Sequence, residues 1–286
     1  MSQISDIVWT DATWNVVLGC TKVSPGCANC YAIMDANRMA GSGNPAVAAA
    51  NRGLAYRQEN GIYNWTGVVR LLPERLALPF GWAKPTTVFV NSMADLFHDA
   101  VPLAFVRRAF AVMAATPHHT YQVLTKRAGR LLDLSPQLDW PANVWMGVSV
   151  ESQAYAARID LLRRTGAAVK FVSAEPLLGP VALDLTGIDW CITGGESGPR
   201  ARTFDPAWAL AVLDQCRAAG VAFTHKQNGG RNKKKAGRRL GGVEYTEMPP
   251  ASAVAVPSRK ARRALAMALA PEAFAGGRVT LPLAGD

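Results

Sequence analysis

Short runs rich in apolar and β-branched residues recur along the chain, and each stops at polar or glycine residues. They are TTVFVNSMAD (86–95), TYQVLTKR (120–127), NVWMGVSVE (143–151), AVKFVSAEP (168–176), DWCITGGESG (189–198) and VAFTHKQNGG (221–230). Helix-like stretches lie between them at 102–115, 152–165 and 205–219. A strand, a helix and a strand repeated at this interval predict βαβ units and a parallel sheet. An early strand near Trp14–Leu18 and a further one near Gly67–Leu72 bring the expected number to seven or eight. Right-handed crossovers at that number favour an α/β fold built as a full or partial (β/α) TIM-like barrel, with an open doubly wound sheet as the alternative. In both, ligands bind beyond the carboxyl ends of the strands, so the polar residues that close each run are the candidate site.

Local signals agree with this phasing. Asp205-Pro206 reads as an N-cap followed by proline in the first turn, and Gly220 sits where a helix ends; Glu151-Ser152 and Gly166 frame another helix similarly. Residues 39–60 are small and mixed and read as a helical or loop insertion, and the pattern lapses after Pro249 until a basic helix at Ser258–Ala270. The expected organisation is a barrel domain over 1–250 and a basic helical tail over 251–286.

Composition narrows the class. The chain has 286 residues, 49% of them hydrophobic and 18% charged, enough for a sizeable core and too little charge for a disordered chain. No apolar run approaches the roughly 18 residues that cross a bilayer, and MSQISDIVWTDATW lacks the basic and apolar regions of a signal peptide. A cytoplasmic location and no membrane partner are expected.

Three of the five cysteines crowd together as C-x6-C-x2-C: Cys20, Cys27 and Cys30. In a reducing compartment such a cluster points to metal rather than to a disulfide framework. Soft thiolates select zinc, copper(I) or iron–sulfur clusters. Three ligands suit a four-iron cluster with one open iron, whereas structural zinc takes four. Cys191 and Cys216 lie in an expected strand and helix and read as ordinary buried residues, and His225 would join a zinc site only through an accident of folding.

The formal charge of +10 is unevenly placed, with ten Lys/Arg against two Glu between Arg231 and Arg263. Such a patch is either the footprint of a polyanionic partner or a solvated tail.

Taken together, WNVVLGCTKVSPGCANCYA, NSMADLFH, LTKR, MGVSVE, FVSAEPLLGP, DWCITGGESGPRAR and DQCRAAGVAFTHKQNGG resemble the phage and mobile-element proteins with a C-x6-C-x2-C motif. These are radical-SAM-like and distantly similar to spore photoproduct lyase. The resemblance spans roughly residues 7 to 250. The usual radical-SAM spacing is C-x3-C-x2-C with an aromatic before the last cysteine; here Asn29 holds that place and Tyr31 follows, and Asn228 stands where a tryptophan is expected.

The resemblance implies a [4Fe-4S] cluster on Cys20, Cys27 and Cys30, S-adenosylmethionine (SAM) as cosubstrate, and an external electron donor. The expected reaction is cleavage of SAM to a 5′-deoxyadenosyl radical that acts on a nucleic-acid base, in DNA hypermodification or repair. Ser92, Asp95, Ser149 and Glu151, at strand ends, are assigned to SAM, with capping of the next helix as the alternative for Asp95 and Glu151. Gly194, Gly195 and Glu196 spell the motif that contacts the SAM amino group in radical-SAM enzymes. Lys126, Arg127, Arg200, Arg202 and Lys226 are assigned to nucleic acid, with the basic tail extending their surface. Tyr31, Trp65 or Trp82 could stack a displaced base. His118 and His119 are placed at the amino-terminal face without a catalytic role. Two rival readings are a zinc-stapled, non-catalytic nucleic-acid-binding protein and a radical-SAM enzyme acting on a small metabolite or peptide.

Overall fold

The structure, a computed structural model, describes residues 3–4, 7–251, 253–275 and 279–281. Seven strands follow one another in chain order, each parallel to the next: β1 (Ala12–Trp14), β2 (Thr87–Val90), β3 (Thr120–Thr125), β4 (Val144–Ser149), β5 (Val169–Ala174), β6 (Trp190–Gly194) and β7 (Ala222–Gln227). The sheet curls into a half-barrel, consistent with a partial TIM-like barrel, and Gln3–Ile4 adds an antiparallel edge beside β1. All six apolar runs became strands of this sheet.

Between β1 and β2 the chain makes a long excursion. It contains α1 (Tyr31–Ala40), α2 (Pro45–Asn51) and a hairpin of Ala55–Arg57 with Tyr63–Trp65. The strand expected near 67–72 exists as Val69–Leu71, but it pairs antiparallel with Val17–Leu18 and with Val279–Leu281, outside the barrel. Asn91 explains the break after β1. Its side-chain Oδ1 accepts from the backbone of Val16 and Val17 at 2.9 and 3.1 Å, taking the place of a carbonyl partner just past the end of β2. Asn91 itself takes a left-handed backbone (φ 59°), which asparagine tolerates better than most residues.

Alternation along each strand builds two cores. The outward face packs against α3 (Leu103–Ala115), α4 (Ala128–Leu134), α5 (Arg158–Arg163) and α6 (Pro206–Ala219) through buried residues such as Val123, Val148, Val172 and Phe110. The inward face stacks Phe89, Trp145, Phe171, Trp190 and Ile192, and Trp9 lies edge-on between Phe89 and Trp190 at 4.8 and 5.9 Å. Gly147 leaves the room this needs: a Cβ there would stand 2.4 Å from the Phe171 ring. Each such aromatic contributes about 2 kcal/mol by leaving water. One layer nearer the carboxyl ends the same face turns polar, with Ser149, Ser173, Gly194 and Lys226.

α6 starts and ends as its sequence dictates. Asp205 Oδ1 accepts from Ala207 N at 2.9 Å, and Gly220 is left-handed at φ 68°. The helix expected over 152–165 is shorter, because a 3-10 turn occupies Gln153–Tyr155 and the Glu151 side chain is committed elsewhere.

The basic helix forms as α7 (Arg259–Leu269), with Ala266 and Ala270 buried in the outer core. Its Arg262 donates to the Trp82 carbonyl, and Trp82 meets His119 edge-on at 5.4 Å, just before β3 begins. This helix therefore lies at the amino ends of the strands and does not extend the opposite rim, contrary to expectation. Trp82 is likewise at the wrong end to stack a base. His118 and His119 are buried there, as read from the sequence.

Candidate functional site

The segment from Cys20 to Cys30 crosses the carboxyl end of the half-barrel. A single turn at Pro25–Cys27 folds it back, and Cys30 immediately precedes α1. All three cysteines are half-buried. They line one recess together with Asn91, Asp95, Thr125, Lys126, Arg127 and Ser149 from the ends of β2, β3 and β4. Trp65, Phe89, Met93 and Leu124 form its apolar walls.

Three ionic fasteners hold this loop down. Arg127, 8% exposed, donates to Asp95 Oδ2 at 3.0 Å, to Thr21 Oγ1 at 2.8 Å and toward Cys20 Sγ at 3.8 Å. Thr125 and the Lys126 amide also donate to Asp95. Glu151 has no exposed surface and pairs with Lys126 at 2.6 Å and Arg158 at 2.9 Å while accepting from the Ser24 hydroxyl. Glu196 accepts from Asn29 at 3.1 Å and from the guanidinium of Arg202, which also donates to the Pro25 carbonyl at 2.9 Å.

These contacts set the local electrostatics. Burial would raise the Glu151 carboxyl, but Lys126, Ser24 and Arg158 outweigh it and hold the group below the usual carboxylate range. Burial pushes the Cys20 thiol up to about 12, partly opposed by Arg127, and raises Cys30 as well.

A second recess of about 180 Å³ adjoins the first and shares Cys30, Phe89, Leu124, Lys126 and Ser149 with it. Its other polar walls include Ser173, Glu175, Glu196, Ser197, Lys226 and Gln227. Lys226 pairs with Glu175 at 3.2 Å, and Ser173 donates to Glu175 at 3.2 Å. The Tyr31 hydroxyl donates to the Ser92 carbonyl at 2.9 Å, which holds its ring, 38% exposed, on the rim.

The structure thus sorts the sequence-derived residues. Cys20, Cys27, Cys30, Ser149, Lys126, Glu196 and Lys226 meet around the two recesses. Ser92 also lines the first recess, where its hydroxyl donates to Asn15. Asp95 lines the first recess and Glu151 is fully buried; neither caps a helix, and their carboxylates are occupied by the loop's fasteners. Arg127, which is buried, and Arg202, which is partly exposed, are both paired, with Asp95 and Glu196 respectively. Gly194 and Gly195 act by leaving space, since a Cβ would stand 2.7 Å from Glu175 Oε1 and 2.4 Å from Gly229 Cα respectively. Arg200 stands apart on the outer rim. Sequence reasoning gave no role to Ser24 or Arg158. Glu175 was legible as one more strand-end carboxylate, FVSAEP, but nothing there marked its pairing with Lys226.

Among the described residues, no three His, Cys, Asp or Glu side chains converge on a point that could hold a single metal ion. Cys191 and Cys216 are fully buried in the outer core, and both ring nitrogens of His225 are occupied, by Thr193 and Asn228.

Fold and site together define an α/β half-barrel protein with a three-cysteine loop fastened across the carboxyl ends of its strands. The chain belongs to the DUF5131 family, described as proteins of unknown function, whose model matches residues 4–249. Solved structures of spore photoproduct lyase are similar to it at low level. A complex with dinucleoside spore photoproduct has 11% identity and a TM-score of 0.40, covering 69% of this chain and 58% of that one. A cysteine-to-serine mutant has 13% identity and a TM-score of 0.41, covering 72% and 61%. The chain spans about three fifths of the length of these structures. No curated protein matches it.

Proposed function

We propose that this protein is a radical-SAM-like iron–sulfur enzyme that acts on a nucleic-acid base. The observation that carries the reading is the shared recess: Cys20, Cys27 and Cys30, alone among the five cysteines, face one cavity at the carboxyl edge of a parallel half-barrel. The donor set fits a cluster held by three thiolates, with walls of Trp65, Phe89, Met93 and Leu124 to exclude water. When bound, such a cluster with SAM supplies one-electron reduction and a radical able to abstract hydrogen.

The remaining chemistry falls to the chain's own residues. Arg127 places a fixed positive charge beside Cys20 and favours its thiolate. The second recess, which Cys30 also lines, presents the Glu175–Lys226 ion pair and the Glu151-bound Lys126, which an ammonium and a carboxylate of one ligand would engage by exchanging partners. Ser149 belongs to both recesses and stands between them. Glu151 serves this site as a positioning residue for the loop. Tyr31 offers a ring face on the rim for an unstacked base.

Anaerobic reconstitution tests the reading. The expected result is brown protein with about four irons per chain and release of 5′-deoxyadenosine from SAM with a reductant, both lost in Cys20→Ala, Cys27→Ala or Cys30→Ala. Colourless protein with one zinc per chain, or product formation in a cysteine variant, overturns it.

A further inference from the structure

A third cavity, about 220 Å³, opens on the outer side of the cysteine loop. Its walls are α1 through Ile33 and Met34, the hairpin through Gly61, Ile62 and Tyr63, and the 197–200 loop. Cys30 lines it too, so it lies one side chain away from the candidate centre. Ile62 stays 36% exposed here, an apolar side chain held open to water.

Two cations converge on its lip. The guanidinium nitrogens of Arg57 and Arg200 lie 3.3 and 3.6 Å from the point where a Cβ on Gly61 would sit. Both arginines are exposed, and among the described residues no carboxylate lies within ion-pair distance of either. This sets them apart from Arg127, Arg158 and Arg202, each of which is paired. Two like charges this close repel, and an anion between them relieves the repulsion. The Arg57 side chain and the Arg200 backbone are each anchored. Arg57 stacks over the Tyr63 ring at 6.0 Å, and the Arg200 carbonyl accepts from Asn29 Nδ2 at 2.9 Å, which ties its loop to the cysteine segment. Gly61 itself is left-handed (φ 74°), so the turn that keeps this gap open requires glycine.

We infer that this groove is a subsite for one nucleotide of a single-stranded nucleic acid, its phosphate bridging Arg57 and Arg200 and its base lying against Ile62, Met34 and Tyr63. An apolar slot beneath a pair of guanidiniums matches a planar base joined to a phosphate. The inference rests on the nucleic-acid reading above and adds where the strand is gripped, outside the recess where chemistry is proposed. Because the slot adjoins Cys30, the gripped nucleotide neighbours the one presented to the centre.

Binding of a fluorescent 5′-phosphorylated ten-nucleotide single strand, followed by anisotropy across a salt series, tests it without any cofactor. Arg57→Gln/Arg200→Gln should weaken binding on the order of 10-fold at 0.1 M salt and reduce the slope of log K against log salt by about 0.7, the value for one phosphate no longer neutralised on a single strand. Ile62→Ser should weaken binding of that strand but not of an abasic strand with the same phosphates. All three positions are exposed, and an unchanged melting temperature confirms folding. Wild-type affinity and slope in the double arginine variant overturn the subsite while leaving the nucleic-acid reading in place. Equal effects of Ile62→Ser on both strands overturn the base slot. Failure of the wild type to bind any strand overturns both this inference and the nucleic-acid reading.

Discussion

Gly26 lies so close over Glu151 that a Cβ on it would stand 2.4 Å from the Glu151 Cγ. The cysteine loop is seated on a buried carboxylate, and the absence of a side chain at its turn is what lets it sit there. Gly26→Ala should therefore destabilise the protein by about 2 kcal/mol through overpacking. Glu151→Ala should cost about 4 kcal/mol, because Lys126 and Arg158 lose their shared partner. With Glu151 already removed, the Gly26 methyl has room. The double variant should be more stable than the sum of the two losses by about 1 kcal/mol or more, as urea denaturation of all four proteins would measure. Strict additivity would mean that the two residues do not touch.

Arg202 reaches Glu196 and Pro25 together because its guanidinium is a planar fork. Lysine keeps the charge and loses the fork. Arg202→Lys should leave global melting within a few degrees but loosen the turn beside Cys27. Thiol labelling of Cys27 in protein carrying serine at Cys20 and Cys30 should then run several-fold faster. An unchanged labelling rate would show that the fork does not hold the loop.

At the foot of the barrel, burial and then the neighbouring His118, with Arg262 adding to them, pull His119 down to about 4 despite its contact with the Pro79 carbonyl. Its folded value lies below the unfolded one of about 6.5, so unfolded chains take up the proton first. The stability this neutral ring contributes is complete above pH ~6.5 and is lost as pH falls toward 4, at up to about 1.4 kcal/mol per pH unit. His119→Phe should flatten that part of the stability profile by up to one proton. A profile as steep as the wild type's would remove His119 from the account.

The exposed cations of α7, Arg259, Lys260 and Arg263, lie on the far side from the arginine pair on the rim. Charges beyond a Debye length of about 10 Å are largely screened at 0.1 M salt. Glutamine at all three positions should leave single-strand affinity at that salt within about twofold. A loss as large as that from the Arg57/Arg200 variant would place strand binding on the tail.

The strands were legible because each is a run of β-branched and aromatic residues with polar punctuation, and this parallel sheet is covered on both faces. Cys20, Cys27 and Cys30 were legible as a group because their spacing is local. The roles of Asp95, Glu151, Arg127 and Arg202 were not. A strand-end carboxylate has the same sequence whether it faces a ligand or a guanidinium, and its partners come from places as different as the next helix (Arg158), a nearby loop (Arg202), another strand end (Lys126, Arg127) and the distant cysteine loop (Ser24). The side on which α7 docks was hidden for a related reason. Its charge suggested the rim, while the contacts that fix it, Ala266 and Ala270 in the outer core and Arg262 on Trp82, are apolar or backbone in character. The pair of Arg57 and Arg200 was invisible because a hairpin and a distant loop meet only in space.

The aromatic layer of Trp9, Phe89, Trp145, Phe171 and Trp190 closes the passage below the two recesses. A group bound against this layer therefore lies beneath one bound nearer the rim. The layer is a wall as well as a floor, since Trp9 and Phe89 line the second recess and Phe89 the first as well.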